Sequence, residues 1–179
     1  MPARFRQGHR VNGQRWVLQV AERPEGKALI FEGTEALVQG LIDPARPLDA
    51  PLGYLRAAAA ATCAVEAPAR MLVLGLGAGV LPRVLEALYP AAELHAVELD
   101  PAVVEVAREH FGLQPGPRLQ VHVADAADWV PSDPRAYDVL FLDCYGPDDM
   151  PEAVSRAAFF DAALDHLTPG GVLVANILA

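Results

Sequence analysis

The stretch at residues 71–85, MLVLGLGAGVLPRVL, constrains this chain more than any other. Four apolar residues run into glycines at 75, 77 and 79, and an apolar helical pattern follows. Strand, glycine turn and helix in that order open a nucleotide-binding βα unit. Residues without side chains let the backbone turn sharply and approach a ligand closely. The pattern is GxGxG rather than the full GxGxxG, with Val80 after the last glycine and Pro82 in the first turn of the helix. Taken alone, it also describes a tight turn that holds no ligand.

The rest of the chain decides what kind of sheet this strand joins. From residue 70 onward, apolar strand-length runs alternate with helical patterns. MLVLGL, ELHAVEL, LQVHVAD, YDVLFLD and GVLVANI read as strands, and residues 80–88, 101–111 and 151–167 as helices, with a short turn or helix near Trp129. Such alternation predicts an α/β fold with a mostly parallel sheet and helices on both faces. The helix at 101–111 carries its own signals. Asp100 is placed to cap it, Pro101 suits its first position, and Gly112 stops it. Val103, Val104, Ala107 and Phe111 share one face. Ahead of this region, WVLQV at 16–20 and ALIFE at 28–32 predict a β-hairpin with a long turn through Pro24 and Gly26. The proline-rich segment 43–53 reads as a linker, and the alanine-rich YLRAAAAATCAV as a helix. We therefore expect a small N-terminal β region with its linker over 1–50 and a nucleoside-binding domain over 51–179.

Composition narrows the function. With 179 residues, 53% of them apolar, the chain has material for one ordinary core. No apolar run reaches the roughly 18 residues of a membrane span. The N-terminal MPARFRQGHR is basic without an apolar stretch behind it. It does not read as a signal peptide, so the expectation is a cytoplasmic protein. Cys63 and Cys144 are too far apart in sequence for a zinc or disulfide pattern, and the five histidines are scattered, so no metal site is expected. A formal charge of −9 argues against nucleic acid and is compatible with a cationic small substrate.

Ligands of open α/β sheets bind beyond the carboxyl ends of the strands, and acidic residues stand at those ends. Glu98 lies 23 residues after Gly75, an offset at which a carboxylate can accept both ribose hydroxyls of a nucleoside. Asp125 can accept an adenine amino group, with the Ala126 N–H facing a ring nitrogen, or it can simply cap a following helical turn. Asp143 and Tyr145 place a carboxylate and a phenol where an attacking amine would be oriented or deprotonated. Asp148 and Asp149 add negative charge that suits a polyamine or is merely solvated. Cys144 has no base near it in sequence and reads as a small loop residue.

The series LVLGLGAG, AVELDP, VADA, YDVLFLD and LTPGGVLVAN resembles the spermidine synthase (aminopropyltransferase) family, within the Rossmann-like class I methyltransferase fold. The resemblance covers about residues 54–179, and LIFEG is similar to a more N-terminal family strand. It implies a reaction that moves an aminopropyl group from decarboxylated S-adenosylmethionine to an amine or polyamine. Gly75, Gly77 and Gly79 would line the nucleoside pocket, Glu98 would hold ribose, and Asp125 with Ala126 the adenine. Asp143 would act on the attacking amine. Two family carboxylates are replaced here, by Ala78 and Gly146. Of the family's Tyr-His-Glu only Tyr54 remains, followed by Leu55 and Arg56, and Gln39 lies about three positions late for a family glutamine. The alternatives are an S-adenosylmethionine-dependent methyltransferase using the same pocket, and a non-catalytic homologue that binds a nucleoside or polyamine. The family's last helix and antiparallel strands would follow residue 179, so the strand edge left there is expected to be covered, as in a homodimer.

Overall fold

The computed structural model describes residues 5–11, 14–32, 38–146 and 150–177. Asp148 and Asp149 lie outside the described residues. Five strands, β5 (Arg70–Leu74), β6 (Glu93–Glu98), β7 (Leu119–Val123), β8 (Tyr137–Leu142) and β9 (Leu167–Ala175), form one parallel sheet in the order β7-β6-β5-β8-β9. The chain moves outward from β5 through β6 to β7, then returns to the other side of β5 as β8. Strand order therefore reverses between β5 and β8.

The period-two geometry of a strand explains how one sheet serves two cores. Met71, Val73, Val139 and Phe141 point to one face, where they pack with α1 (Gly53–Ala61), α2 (Val80–Leu88) and α3 (Pro101–Phe111). Leu72, Leu74, Leu140 and Leu142 point to the other, against α4 (Ala126–Ser132), the short α5 (Glu152–Ser155) and α6 (Ala157–Asp165). With both faces covered, β5 and β8 read as continuous apolar runs.

The bounds of α2 and α3 coincide with the sequence expectation. Asp100 Oδ1 accepts from Ala102 N at 2.9 Å, and Gly112 closes α3 in the left-handed region at φ +69°. The buried face of α3 is formed by Ala102, Val103, Val106, Ala107 and Phe111, while Val104 is only half-buried. The segment at 151–167 is not one helix. It breaks at Arg156, whose φ and ψ of −76° and 147° are extended, and β9 already begins at Leu167.

The N-terminal hairpin is corrected to a four-stranded antiparallel meander: β1 (Phe5–Val11), β2 (Gln14–Arg23), β3 (Gly26–Phe31) and β4 (Val38–Ile42). Its central turn is tight, since Arg23 pairs with Gly26 and only Pro24 and Glu25 lie between. β1 is polar because it is an edge strand, and β4 is short and interrupted by Gly40, so neither carries an apolar alternation. Leu18, Val20, Leu29 and Phe31 turn inward to the same core as α1–α3. Lys27 Nζ donates to His110 O at 2.8 Å and so places a cation at the carbonyl end of α3.

Candidate active site

The site begins with backbone. Gly75 N donates to Val97 O and Asp143 N to Leu74 O, both at 2.8 Å, so the chain leaves β5 and β8 side by side at the point of reversal. Gly75 has φ +93°, and a β-carbon there would fall 2.1 Å from Asp143 O. No other residue fits. Gly77, at φ +52°, is closed in by β4, with Gln39 O 2.5 Å from where its β-carbon would lie. Gly79 caps α2 at φ +71°. Ala78 is buried against Gly40, so the glycine turn is pressed between the parallel sheet and the N-terminal meander.

Glu98 ends β6 and faces this turn. Its carboxylate accepts from Leu76 N at 2.9 Å and from Asp100 N at 3.0 Å. Burial pushes its carboxyl above the usual range, and the backbone donors of Asp100, Leu76 and Gly77 work the other way. The carboxylate keeps acceptor capacity beyond these backbone donors. A half-buried carboxylate in that state is stabilised by further O–H donors, which is what a vicinal diol offers. Of the two roles that the sequence leaves open for Asp125, the structure shows the helix cap. Oδ1 caps α4 by accepting from Ala127 N at 2.9 Å, while the residue, with Ala126, also lines the cavity.

At the other end, Tyr54 of α1 donates from its hydroxyl to Asp143 Oδ2 at 3.1 Å, and Asn176 Nδ2 donates to Oδ1 at 2.8 Å. Both carboxylate oxygens are thus fixed. Burial raises the Asp143 carboxyl above the ordinary range, and the two donors oppose that shift. The Tyr54 hydroxyl is pushed well above its usual value by burial and by the facing carboxylate, so it stays protonated and donating. Tyr145 lines the cavity and donates to Asn176 O at 2.9 Å. Cys144 sits between Asp143 and Tyr145, and burial together with the surrounding carboxylates pushes its thiol far up, so it is no thiolate nucleophile. Asn176 escaped the sequence reading, although it stands at a strand end like Glu98, Asp125 and Asp143.

These groups share one cavity of about 710 Å³. Gly75, Gly77, Glu98, Asp125, Ala126 and Asp143 all line it, as do Gln39 and Gly146. Gly79 does not line it directly but sets the start of α2 beside it. Trp16, Leu29 and Phe31 bring the inner face of the meander to the same space. Among the described residues, no three His, Cys, Asp or Glu side chains gather as a metal site. No helix there is long and apolar enough to cross a membrane.

The spermine/spermidine synthase domain model matches residues 57–176. A polyamine aminopropyltransferase of Vibrio vulnificus is 33% identical over 126 residues, covering 69% of this chain and 42% of the relative. The structure of a probable spermidine synthase from Corynebacterium glutamicum superposes with a TM-score of 0.79 at 24% identity, over 98% of this chain and 64% of that one. Human methyltransferase-like protein 13, in complex with SAH, gives a TM-score of 0.63 at 29% identity, over 68% of this chain and 63% of that one. The chain spans less than half of the Vibrio relative and under two thirds of either structure. From Gly75 to Asn176, the residues at the ends of the parallel strands fall within the matched span, and the chain belongs to the spermine/spermidine synthase family.

Proposed function

We propose that this chain binds decarboxylated S-adenosylmethionine and transfers its aminopropyl group to an amine. The observation that carries the reading is Asp143: a half-buried carboxylate at the switch point, held on both oxygens by Tyr54 and Asn176, in the cavity that also holds Glu98. In this reading, residues 51–179 are the nucleoside-binding domain and residues 1–50 a small region that closes the acceptor side.

Glu98 holds the ribose, Asp125 and Ala126 meet the base, and the glycine turn admits the nucleoside close to the backbone. The acceptor nitrogen must lose a proton before it attacks. Asp143 takes that proton, and burial makes it a stronger base than a surface carboxylate. The nitrogen lone pair then forms a bond to the aminopropyl carbon on the sulfonium. The carbon–sulfur bond breaks with its electron pair going to sulfur, which leaves as the neutral thioether of methylthioadenosine. The acceptor nitrogen, an ammonium at the start, is left as a secondary ammonium.

A second reading, methyl transfer from S-adenosylmethionine, draws on Ala78. No carboxylate stands there to oppose the carboxylate of that donor, and one structural neighbour is a methyltransferase. The test is production of methylthioadenosine or S-adenosylhomocysteine from the two donors with an amine panel. We expect methylthioadenosine, and Asp143→Asn should lower the rate by about 10²–10⁴, the usual span for a general base, with calorimetric nucleoside binding retained. S-Adenosylhomocysteine as the product would move the assignment to methyl transfer. Binding of neither donor would overturn both.

A further inference from the structure

The proposed donor carries an ammonium at the far end of its aminopropyl chain, and the topology points to what meets it. We infer that Gln39 holds that ammonium, its side-chain carbonyl accepting from it beside the glycine turn. The inference rests on the aminopropyl-transfer reading above and adds a residue of the N-terminal meander to the donor site.

The strand ends set the direction. They stand in the order β7-β6-β5-β8, and Asp125, Glu98, Gly75 and Asp143 stand at them in that order. A nucleoside with its base at Asp125 and its ribose at Glu98 brings its sulfur to the end of β5, between Glu98 and Asp143. The chain on that sulfur then lies over the glycine turn. β4 closes the turn from the other side. Gln39 O stands 2.5 Å from where a β-carbon on Gly77 would lie, and a β-carbon on Gly40 would collide with that of Ala78.

The register of β4 singles out Gln39. Leu29 pairs with Gly40 and Ile30 with Val38, so Gln39 is the extra residue of a β-bulge. Regular pairing would set Gln39 opposite Ile30, in the apolar cluster of Ala28, Ile30 and Leu41 on the meander's other face. The bulge gives that place to Val38, which packs against the cluster, and Gln39 lines the cavity. Re-aiming a side chain beside a site is a common use of a bulge. The amide suits an ammonium: its carbonyl oxygen offers two lone pairs, and an ammonium has three N–H donors. Ala78, next to Gly77 in the turn, has no polar side-chain atom, so the amide on β4 supplies the acceptor from across the turn.

The test isolates the ammonium with two nucleosides that cannot react. Decarboxylated S-adenosylhomocysteine carries the aminopropyl chain on a neutral sulfur, and butylthioadenosine has a methyl group in place of the ammonium. In calorimetric titration the wild-type protein should favour the amine by about tenfold, the worth of one hydrogen bond to a charged group. Gln39→Ala should abolish that ratio and leave the affinity for butylthioadenosine unchanged, which also shows that the variant is folded. Gln39→Glu should raise the ratio, because a carboxylate binds an ammonium more strongly than an amide does. Equal wild-type affinities overturn the inference. So does a ratio that survives in Gln39→Ala, since another group then holds the ammonium. A parallel loss of both affinities in Gln39→Ala overturns it too and makes Gln39 a support of the turn. The transfer reading fails separately, when decarboxylated S-adenosylmethionine and an amine panel yield no methylthioadenosine whatever the titrations show.

Discussion

The two ends of the crevice are made of different material. The end proposed for the nucleoside is backbone: three glycines at positive φ, the N–H groups of Leu76 and Asp100, and a strand-end carboxylate that they orient. The end proposed for the acceptor is side chains from distant segments: Tyr54 and Asn176 around Asp143, with Trp16, Phe31 and Leu52 lining the same cavity. Backbone sites tolerate almost no change in shape, because a β-carbon has nowhere to go. Side-chain sites exchange one group for another, and so can change substrate while the fold stays.

The largest effect should therefore come from the turn. Gly75→Ala puts a β-carbon against the Asp143 carbonyl at a φ that L residues rarely adopt. Strain and overpacking together should cost about 3 kcal/mol or more. Gly170→Ala is the control, since Gly170 has a similar φ of +83° with nothing within 4 Å. It should cost only about 1–2 kcal/mol, the conformational part alone. Urea unfolding midpoints for the two variants measure the difference. Equal losses would mean that close approach at the switch point contributes nothing.

Next comes Glu98→Gln. The amide keeps one acceptor for the backbone but points an NH₂ group at the other N–H and removes the charge. Nucleoside affinity should fall by about one to two powers of ten, from a charge-assisted hydrogen bond of about 1.5–3 kcal/mol. Calorimetric titration checks it. Acceptor-end variants such as Leu52→Asp should leave that affinity unchanged, and a shared loss would break the division between the two ends.

The same division governs what the sequence makes legible. The parallel sheet, α2, α3 and the glycine turn are written in local patterns, because apolar runs, caps and glycines act on their own neighbourhood. Glu98, Asp125 and Asp143 follow from one rule about strand ends. The Tyr54–Asp143–Asn176 array does not, because its members lie 89 and 33 positions apart and no local pattern pairs them. Tyr54 stands out only by family resemblance, and Asn176 obeys the strand-end rule but carries no charge to mark it. β1 and β4 stayed hidden for a related reason. Edge strands keep polar residues, and Gly40 is dictated by Ala78 in a different part of the chain.

A smaller effect separates the catalytic proton from the fold. Tyr54→Phe removes a donor that lowers the Asp143 carboxyl, so that carboxyl should rise further. The acid limb of kcat/KM should move to higher pH, and the plateau should fall by about 3–10-fold, the worth of one modest hydrogen bond. A reduced plateau with an unmoved acid limb would make Tyr54 a packing residue and return the acceptor end to Asp143 and Asn176 alone.

The smallest effect lies away from the crevice, where acid acts on the fold and not on the site. His95, fully buried in β6, lies 3.0 Å from Glu93 Oε1 through Nε2 and 3.0 Å from His122 Nε2 through Nδ1. Arg70 holds the Glu93 carboxyl below its usual range, so Glu93 accepts and His95 Nε2–H donates. His95 Nδ1 then accepts from His122, and both rings are neutral. Burial above all lowers both imidazoles below the ordinary value, with Arg135 adding repulsion and Asp133, and for His95 also Glu93, opposing it. A group whose folded pKa is depressed gives stability that is complete above its unfolded value, about 6.5, and is lost as pH falls toward the folded one. The unfolding midpoint should therefore decline as pH drops below about 6.5, and His122→Gln should flatten the decline without moving the acid limb of kcat/KM. If the variant shifts both curves together, the histidine pair is coupled to Asp143, and the two faces of the sheet do not titrate independently.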